Sequence, residues 1–496
     1  MAIAPFEEWR PDLVAFGNPG LTGALNVIPA PGGTGYGPFP SPVDADAPLP
    51  AAPLGGLLAR LTDASYTYVG TQTRVWMRSG GSWINVSRPA GYALQGDDAW
   101  EMVQFRDQVI AVCGPAAPVQ VAGVAGDDFS DLPTSDRKPR ARRIGLVNGW
   151  PVLGHTFDDQ DGEQPSRLWW PQLVQVPNPA EWDPDLTTQA NYTVATPRAA
   201  DGGIMAIVDG IAGIIVCERA IYRMRYVNLP EIFEFDLIAT RGAISAGSVV
   251  NDGRTTYFID RDGFYACDGN DVMPIGHGKV DRTIMARLNR NAVKTICSGI
   301  IPERSVVVWL LPLDNAETPN RAIIYSWKEQ RFTEAEIAGV YFGETTLPGM
   351  SFDQEPWASA PLAMPPWGDF AWGTQEYAGG QPLPAVIGTD GTMSYLTGPA
   401  LPATLRTQEV APSHPFVTEV QSVHPVVEGG GEISVRVGTR PTTSAATEWG
   451  DWRTPNLVGF VPYQTRGVFL IGEVSIPGDF TQAIGLDYTS RRAGRR

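Results

Sequence analysis

The sequence predicts an all-β protein built around a β-propeller of about six blades, with an extended N-terminal arm and an additional C-terminal β-sandwich-like domain. The first observation is a hairpin pattern that recurs along the chain with different residues, as in YTYVGTQTRVWMRSGGSWINVS from Tyr66 to Ser87 and TTYFIDRDGFYACDGNDVMPIG from Thr255 to Gly276. Each segment alternates β-branched and aromatic runs with tight turns that carry Gly or Asp, which is the pattern of short antiparallel strands. Similar units recur at intervals of roughly 40 to 60 residues, which is the length of a four-stranded propeller blade with loop insertions.

The chain divides into five segments on these grounds. Residues 1–56 are dense in Pro and Gly and carry aromatic residues that include Trp9, Phe16, Tyr36 and Phe39, which predicts an extended arm that docks on its own domain or a neighbour. Residues 57–345 are the predicted propeller, and its units begin near Leu57, Trp100, Arg142, Met205, Ser245 and Ile296.

The remaining segments are less regular. We expect a Pro- and Trp-rich insertion at 346–384, a late hairpin at 385–400 that closes the propeller, and a separate β-sandwich-like domain at 401–496, where the strands become long and alternating. Helix signals are scarce. The best one spans Asp281 to Ala292, with Asp281 as the cap and an apolar stripe behind it.

Composition excludes several classes of protein. The chain has 496 residues and a net charge of −17, which argues against a protein whose main task is to grip nucleic acid. Its longest apolar stretch, Gly203 to Cys217, is interrupted by Asp209, so we expect no stable membrane insertion. The first residues lack the pattern of a signal peptide, so the protein is expected to be made and to fold in a cytoplasm.

The four cysteines each lie in an apolar run and show no CxxC spacing. Buried free thiols are therefore expected, rather than a metal or redox site. The four histidines likewise show no metal-ligand spacing, and no nucleophile or phosphate-binding motif is present. The sequence predicts no catalytic, cofactor-binding or metal-binding residue, and we expect no enzyme and no cofactor.

An acidic loop, FDDQDGEQ, carries oxygen ligands of the kind that calcium prefers. It lacks the spacing and the terminal Glu of an EF-hand loop, so a solvated turn is favoured and calcium stays open. The acidic residues concerned are Asp158, Asp159, Asp161 and Glu163.

Two Asp-Gly turns partly resemble the Asp turns of sialidase-type propellers. They are Asp260 to Gly263, which includes Asp262, and Asp390 to Gly391. Hairpin turns explain both, because Asp and Gly are the residues that tight turns require. The sequence marks no Arg cluster, Tyr nucleophile or supporting Glu, so a glycosidase is disfavoured.

One basic concentration stands out in this acidic chain, the run DRKPRARR. A loop that faces DNA or an acidic partner is one interpretation, and an ordinary solvated linker is the favoured alternative. A second, weaker basic run, TSRRAGRR, ends the chain. The residues of the first run are Arg137, Lys138, Arg140, Arg142 and Arg143.

The amino-acid sequence of these units resembles that of the tail hub, or tail nozzle, protein of short-tailed bacteriophages (podoviruses), also called the packaged-DNA stabilisation protein family. The resemblance covers nearly the whole chain in order and is weakest at 346–384. The stretches that carry it include GLTGALNVIPAPGGTGYGPFPSP, VGTQTRVWMRSGGSWINVSR, CERAIYRMRYVNLPEIFEFDLI, GAISAGSVVNDGRTTYFIDRDGFYACDG, NRAIIYSWKEQRFTEAEI and GLDYTSRRAGRR.

This resemblance implies a virion protein that is assembled in the host bacterial cytoplasm. It implies a homohexameric tube that binds a portal-adaptor ring, carries tail fibres or tailspikes, and retains and then conducts genomic DNA without sequence specificity. Six copies of an acidic chain would line a channel that DNA crosses without sticking. Two rivals remain: a virion-borne propeller that hydrolyses glycans, and a monomeric receptor-binding propeller.

Overall fold

The computed structural model describes residues 2–45, 47–61, 65–79, 81–124, 126–132, 137–172, 182–185, 187–346 and 382–494. The N-terminal arm contributes five short strands, β1 (Ala2–Pro5), β2 (Gly23–Leu25), β3 (Val27–Pro29), β4 (Tyr36–Pro38) and β5 (Val43–Asp44).

Five four-stranded antiparallel sheets follow in chain order. Blade 1 comprises β6 (Gly56–Arg60), β7 (Ser65–Gly70), β8 (Val75–Ser79) and β9 (Ser82–Asn85). Blade 2 comprises β10 (Glu101–Phe105), β11 (Gln108–Val112), β12 (Gln120–Gly123) and β13 (Ser130–Asp131). Blade 3 comprises β14 (Arg140–Val147), β15 (Trp150–Asp158), β16 (Gly162–Trp170) and β17 (Asn191–Tyr192). Blade 4 comprises β18 (Ile204–Val208), β19 (Ala212–Cys217), β20 (Ile221–Asn228) and β21 (Ile232–Ala239). Blade 5 comprises β22 (Val250–Asn251), β23 (Thr256–Asp260), β24 (Gly263–Cys267) and β25 (Val272–Pro274).

Two further blades complete the ring. Blade 6 comprises β26 (Cys297–Ile301), β27 (Val306–Leu311), β28 (Arg321–Ser326) and β29 (Arg331–Ala335). Blade 7 comprises β30 (Tyr341–Thr346), β31 (Pro382–Ile387) and β32 (Met393–Tyr395), and the arm strand β5 is its outermost strand. The prediction of an all-β propeller is confirmed, and the described residues form seven blades rather than about six.

Seven hydrophobic clusters pack the ring, one in each gap between neighbouring blades. The strand β27, VVVWLL, explains why such strands read as continuous apolar runs. Its residues Val306, Val308 and Leu310 face blade 7, whereas Trp309 and its alternating neighbours face blade 5. Because side chains alternate across a strand, a strand buried on both faces needs apolar residues at every position.

The C-terminal residues form a two-sheet sandwich. Its strands are β33 (Ala403–Arg406), β34 (Val417–Gly429), β35 (Ser434–Arg440), β36 (Glu448–Trp449), β37 (Val461–Gly467), β38 (Phe469–Ile476) and β39 (Phe480–Gly494). One sheet joins β37, β34 and β39 with the arm strands β1, β4 and β3. The other runs β36-β35-β38-β33-β2 and continues into blade 6, where Leu25 pairs with Glu334. The sandwich therefore shares a hydrogen-bonded sheet and a core with the propeller and does not stand apart.

The single α-helix among the described residues, α1 (Asp281–Arg287), is shorter than the sequence predicts. It stops because Leu288 turns to an extended conformation and bridges Leu313. Asp281 does not cap the helix, since its carboxylate accepts the amide of Phe264 at 3.0 Å. Four 3₁₀ turns complete the helical content, namely Ala199–Asp201, Ala246–Ser248, Val293–Thr295 and Pro302–Arg304.

The arm supplies the missing cap. Asp12 accepts the backbone amides of Arg282 at 2.9 Å and Thr283 at 2.7 Å. The predicted insertion at 346–384 separates the paired strands β30 and β31, and its residues 347–381 lie outside the described residues.

We expect Asp12→Ala to lower the free energy of unfolding by about 1–2 kcal/mol, because a helix loses its cap and the arm loses an anchor. The measurement is the midpoint of urea denaturation. Glu7→Ala is the matched control, since Glu7 also lies on the arm but makes an ion pair with Arg331 while about half exposed. It should cost at most about 0.5 kcal/mol, and equal losses in the two variants would contradict the role given to Asp12.

Candidate functional site

The innermost strands of the seven blades surround a central cavity of about 1660 Å³. Spread over the depth of a five-residue strand, about 17 Å, this volume corresponds to a width of about 11 Å. Duplex DNA is wider than this, because its major groove is about 8.5 Å deep and its minor groove, on the opposite side of the base pairs, is about 7.5 Å deep. The propeller of one copy therefore offers space for a small ligand and not for a DNA duplex.

Several charged side chains in this cavity have close polar partners. Arg142 on β14 donates to Asp98 at 2.6 Å, and Arg143 lies 3.4 Å from Glu101 on β10. The amide of Leu146 donates to Asp209 at 2.6 Å. These contacts join the innermost strands of blades 2, 3 and 4, so they hold neighbouring blades in register.

Burial shifts the pKa of three side chains that line the cavity, those of Glu101, Asp209 and His155. It raises the pKa of Glu101 to about 7, although Arg143 acts in the opposite direction. It also raises the pKa of Asp209, opposed by the Leu146 amide. Burial lowers the pKa of His155, whose ring nitrogen lies 2.8 Å from Glu163. The cavity thus holds one carboxyl group, that of Glu101, with a pKa near neutral pH.

The predicted basic run lies at the start of β14, and most of it is neutralised. Arg137 pairs with Asp161 at 3.0 Å and Arg140 with Asp159 at 2.8 Å, while the next two arginines point to the cavity carboxylates described above. Lys138 is exposed in a left-handed conformation, with φ of 48°. A role of this run in facing DNA or an acidic partner stays a prediction, and its pairing with carboxylates weakens the case.

The acidic loop supplies the partners of the basic run. Asp158 is fully buried and accepts Arg167 at 2.6 Å, and Arg167 also contacts Asp161 at 2.9 Å. Burial opposes the ionised form, but the amides of Asp161 and Gln160 and the guanidinium of Arg167 hold the pKa of Asp158 below its usual range. Among the described residues no group of three or more His, Cys, Asp or Glu is arranged to hold a metal ion.

Both Asp-Gly sequences form hairpin turns. Asp260 pairs with Gly263 at the end of the β23–β24 hairpin, and Arg241 contacts the carboxylates of Asp260 and Asp262 at 2.9 Å. Asp390 accepts the amide of Thr392 at 3.0 Å between β31 and β32. These carboxylates stabilise turns and lie in two different blades.

The cysteines are free, and three of the four are buried. Burial raises the pKa of Cys113 and Cys217 to about 12, so neither thiol is ionised at neutral pH. No helix among the described parts of the chain is long and apolar enough to cross a bilayer.

Sequence reasoning missed the cavity residues Asp98, Glu101 and Asp209. None of them lies in a motif, because they come from two different blades: Asp98 and Glu101 lie at the start of blade 2, and Asp209 follows the first strand of blade 4. The available signal was their position at or beside the first strand of a repeated unit, which is the strand that lines a propeller's centre.

The likenesses of this chain to known proteins are distant. No family model and no curated protein matches it. Among solved structures, it is similar to the WD40 domain of Pan2 from Neurospora crassa, with 7% identity, a TM-score of 0.37 and coverage of 62% of this chain and 88% of that one. The extracellular domain of a hybrid two component system from B. thetaiotaomicron gives 9% identity and a TM-score of 0.43, over 84% of this chain and 47% of that one.

Dihydro-heme d1 dehydrogenase NirN gives 13% identity and a TM-score of 0.32, over 62% of this chain and 60% of that one. Likenesses this distant carry no argument about substrate, partner or activity. One fold hosts many unrelated functions, so the residues of the site bear on function more directly than the fold does.

We expect Arg167→Met to destabilise the protein by about 3–5 kcal/mol, because it leaves the buried Asp158 without its closest guanidinium. Arg140→Met breaks an exposed pair and should cost at most about 1 kcal/mol. Urea denaturation measures both. If the loop acted as a calcium site, added calcium would raise the unfolding midpoint of the wild type, whereas we expect no shift.

Glu101 should make stability depend on pH. Since its pKa is raised from 4.5 to about 7, the folded chain holds the proton more tightly than the unfolded chain. This contribution is present at low pH and is lost as pH rises through that interval. Glu101→Gln removes it, so the stability of the variant relative to wild type should increase between about pH 4.5 and pH 7. Parallel denaturation midpoints across that range would contradict the assignment.

Proposed function

We propose that this chain is a structural virion protein that forms the hexameric tail nozzle, or hub, of a podovirus. In this role it retains the packaged genome, conducts DNA during ejection and anchors the portal-adaptor ring and the tail fibres or tailspikes. Membership of this family is supported by the sequence segments that resemble it, which occur in the same order along the chain. A role in a multi-subunit assembly is supported by the surface of the sandwich. In this proposal the protein is part of the virion and acts as a structural component without catalysing a reaction.

The observation that carries the proposal is a rigid loop with an apolar tip between β36 and β37. Leu457 is fully exposed and Val458 is 74% exposed. The loop is preorganised, because the Asn456 side chain accepts the amides of Val458 at 3.1 Å and Phe460 at 3.0 Å. A fixed turn that holds two aliphatic side chains in water is suited to insertion into a partner's pocket.

The strands beside this loop carry the residue types of interface hot spots. Arg436 lies between the rings of Trp449, at 4.5 Å, and Trp452, at 4.6 Å. Below them the buried Glu473 binds both Arg436 and Arg406, with Arg406 at 2.8 Å. Trp and Arg are the residues most enriched where protein interfaces gain their energy, and here their side chains are already fixed before a partner arrives.

The narrow cavity of the propeller also bears on the proposal. A duplex does not fit through one copy, so a DNA conduit requires a channel between several copies. A closed cyclic ring provides such a channel, since heterologous contacts that close around an axis leave a central opening.

The glycan-hydrolase rival is less well supported. Its acid and base would be expected in the cavity as carboxylates free to meet a substrate. The carboxylates of Asp98 and Glu101 are instead engaged by the arginines of blade 3. Release of sugars from host polysaccharide by the purified protein would favour the rival over the nozzle.

We expect the wild type to form a six-fold ring when mixed with portal-adaptor complexes, with its mass measured by light scattering. Leu457→Ser combined with Val458→Ser should abolish or strongly weaken ring formation, because the apolar tip no longer fills its partner. Val194→Ser is the matched control, since Val194 is 92% exposed on blade 3. A wild type that stays monomeric with the adaptor present would reject the nozzle, whereas normal assembly of the double variant would reject only the role of the loop.

A further inference from the structure

One end of the first sandwich sheet carries arginines on two strands that flank a single glutamate. Arg466 on β37 lies 3.1 Å from Glu419 on the central strand β34, and Arg491 on β39 lies 2.6 Å from the same carboxylate. Arg492, the next residue of β39, is exposed and lies over the Phe416 ring. We call Arg466, Arg491 and Arg492 the arginine face.

The arginine face has an excess of positive charge. Arg466 and Arg491 share the one carboxylate of Glu419 and hold its pKa below the usual range, so this negative charge is already paired, and Arg492 adds a third positive charge. The side chains of Arg466 and Arg491 are 64% and 62% exposed. Much of each arginine is therefore accessible to a ligand from solvent.

The basic run at 137–143 differs from the arginine face in the number of carboxylates that its arginines contact. There each of four arginines pairs with a carboxylate, supplied by the acidic loop or by the start of blade 2, although Arg137 shares Asp161 with Arg167. On the sandwich the arginines outnumber their partners. Of the two basic runs in the sequence, the one at the C-terminal strand is thus the one whose charge stays available.

We propose that the arginine face binds the phosphate backbone of duplex DNA. Guanidinium groups form bidentate, charge-assisted hydrogen bonds with phosphate oxygens. Arg466 and Arg491 lie on strands two apart, so their backbones are separated by about 10 Å, and they can contact different phosphates. The choice of DNA over another polyanion rests on the proposed function. A contact of this kind would hold DNA without reading its sequence.

The competing occupant is the acidic surface of a second copy, since the chain carries a net charge of −17. DNA is favoured because Arg466 and Arg491 present exposed guanidinium groups to solvent, whereas Arg436 on the other sheet is stacked between two tryptophan rings of the kind that anchor protein interfaces. The two occupants make different predictions for DNA affinity and for ring mass.

The test compares two double variants that each remove two positive charges. Arg466→Ala with Arg492→Ala depletes the arginine face and keeps the Arg491–Glu419 pair, so the sheet should fold. Arg140→Ala with Arg225→Ala is the control, because both arginines are partly exposed and paired with carboxylates elsewhere. The probe is a fluorescently labelled duplex of mixed sequence, titrated with the full chain at several salt concentrations.

We expect the arginine-face variant to lose at least about tenfold in affinity near 0.1 M salt, and its salt slope to fall by about two. The control should bind within about twofold of the wild type. Unchanged unfolding midpoints establish that both variants are folded.

Three outcomes would overturn the inference: no DNA binding by the wild type, undiminished binding by the arginine-face variant, or an equal loss in the control. The ring mass of the same samples separates this result from the proposed function. A variant that binds DNA normally but fails to assemble would assign the arginine face to a second copy. A wild type that assembles without binding DNA would leave the nozzle intact and reject the arginine face.

Discussion

The N-terminal arm links parts of the molecule that are far apart in sequence through main-chain hydrogen bonds. Its strand β1 pairs with the last strand β39, β2 lies between blade 6 and the sandwich, and β5 completes blade 7. Without β5, the edge of β32 would be open. Leu49, which follows β5 on the arm, is buried in the gap between blades 7 and 1. A blade packed on one side only would leave its other apolar face in water, so burial of both faces favours a closed ring, and the arm contributes to that closure and to the position of the sandwich.

Much of this architecture could be predicted, and the failures have physical causes. The segment from Tyr66 to Ser87 coincides with β7, β8 and β9, because tight turns and β-branched runs are local signals. The late hairpin predicted at 385–400 corresponds to β31 and β32, but the sequence does not mark blade 7 as a unit because its other strands are not local: a 35-residue stretch, 347–381, separates β30 from β31, and the outer strand comes from residues 43–44. The helix was overestimated because the bridge between Leu288 and Leu313 is a tertiary contact.

The pairing of the basic run with the acidic loop was within reach of the sequence. Asn148 and Gly149 form the two-residue turn of a hairpin, with φ of 50° and 79°, and Asn-Gly is the strongest short-range signal for such a turn. Counting outward from that turn brings Arg140 opposite Phe157, as the structure has it, and hence beside the aspartates that follow. The cavity carboxylates could not be found this way, because no local rule says which loops of different blades meet at a propeller's centre.

The charge of the whole chain is a poor guide to where it contacts a polyanion. At physiological ionic strength the Debye length is about 8 Å, so a phosphate at the surface responds to the charges within a few side chains of it. A net charge of −17 spread over 496 residues therefore keeps most of the surface from adhering to DNA without cancelling a local excess of arginine. Repetition around a ring would multiply both effects. A surface that is mostly repulsive, with one short attractive band, allows DNA to be held at one level and still to slide when pushed, because every contact that breaks is replaced by an equivalent one to the next phosphate.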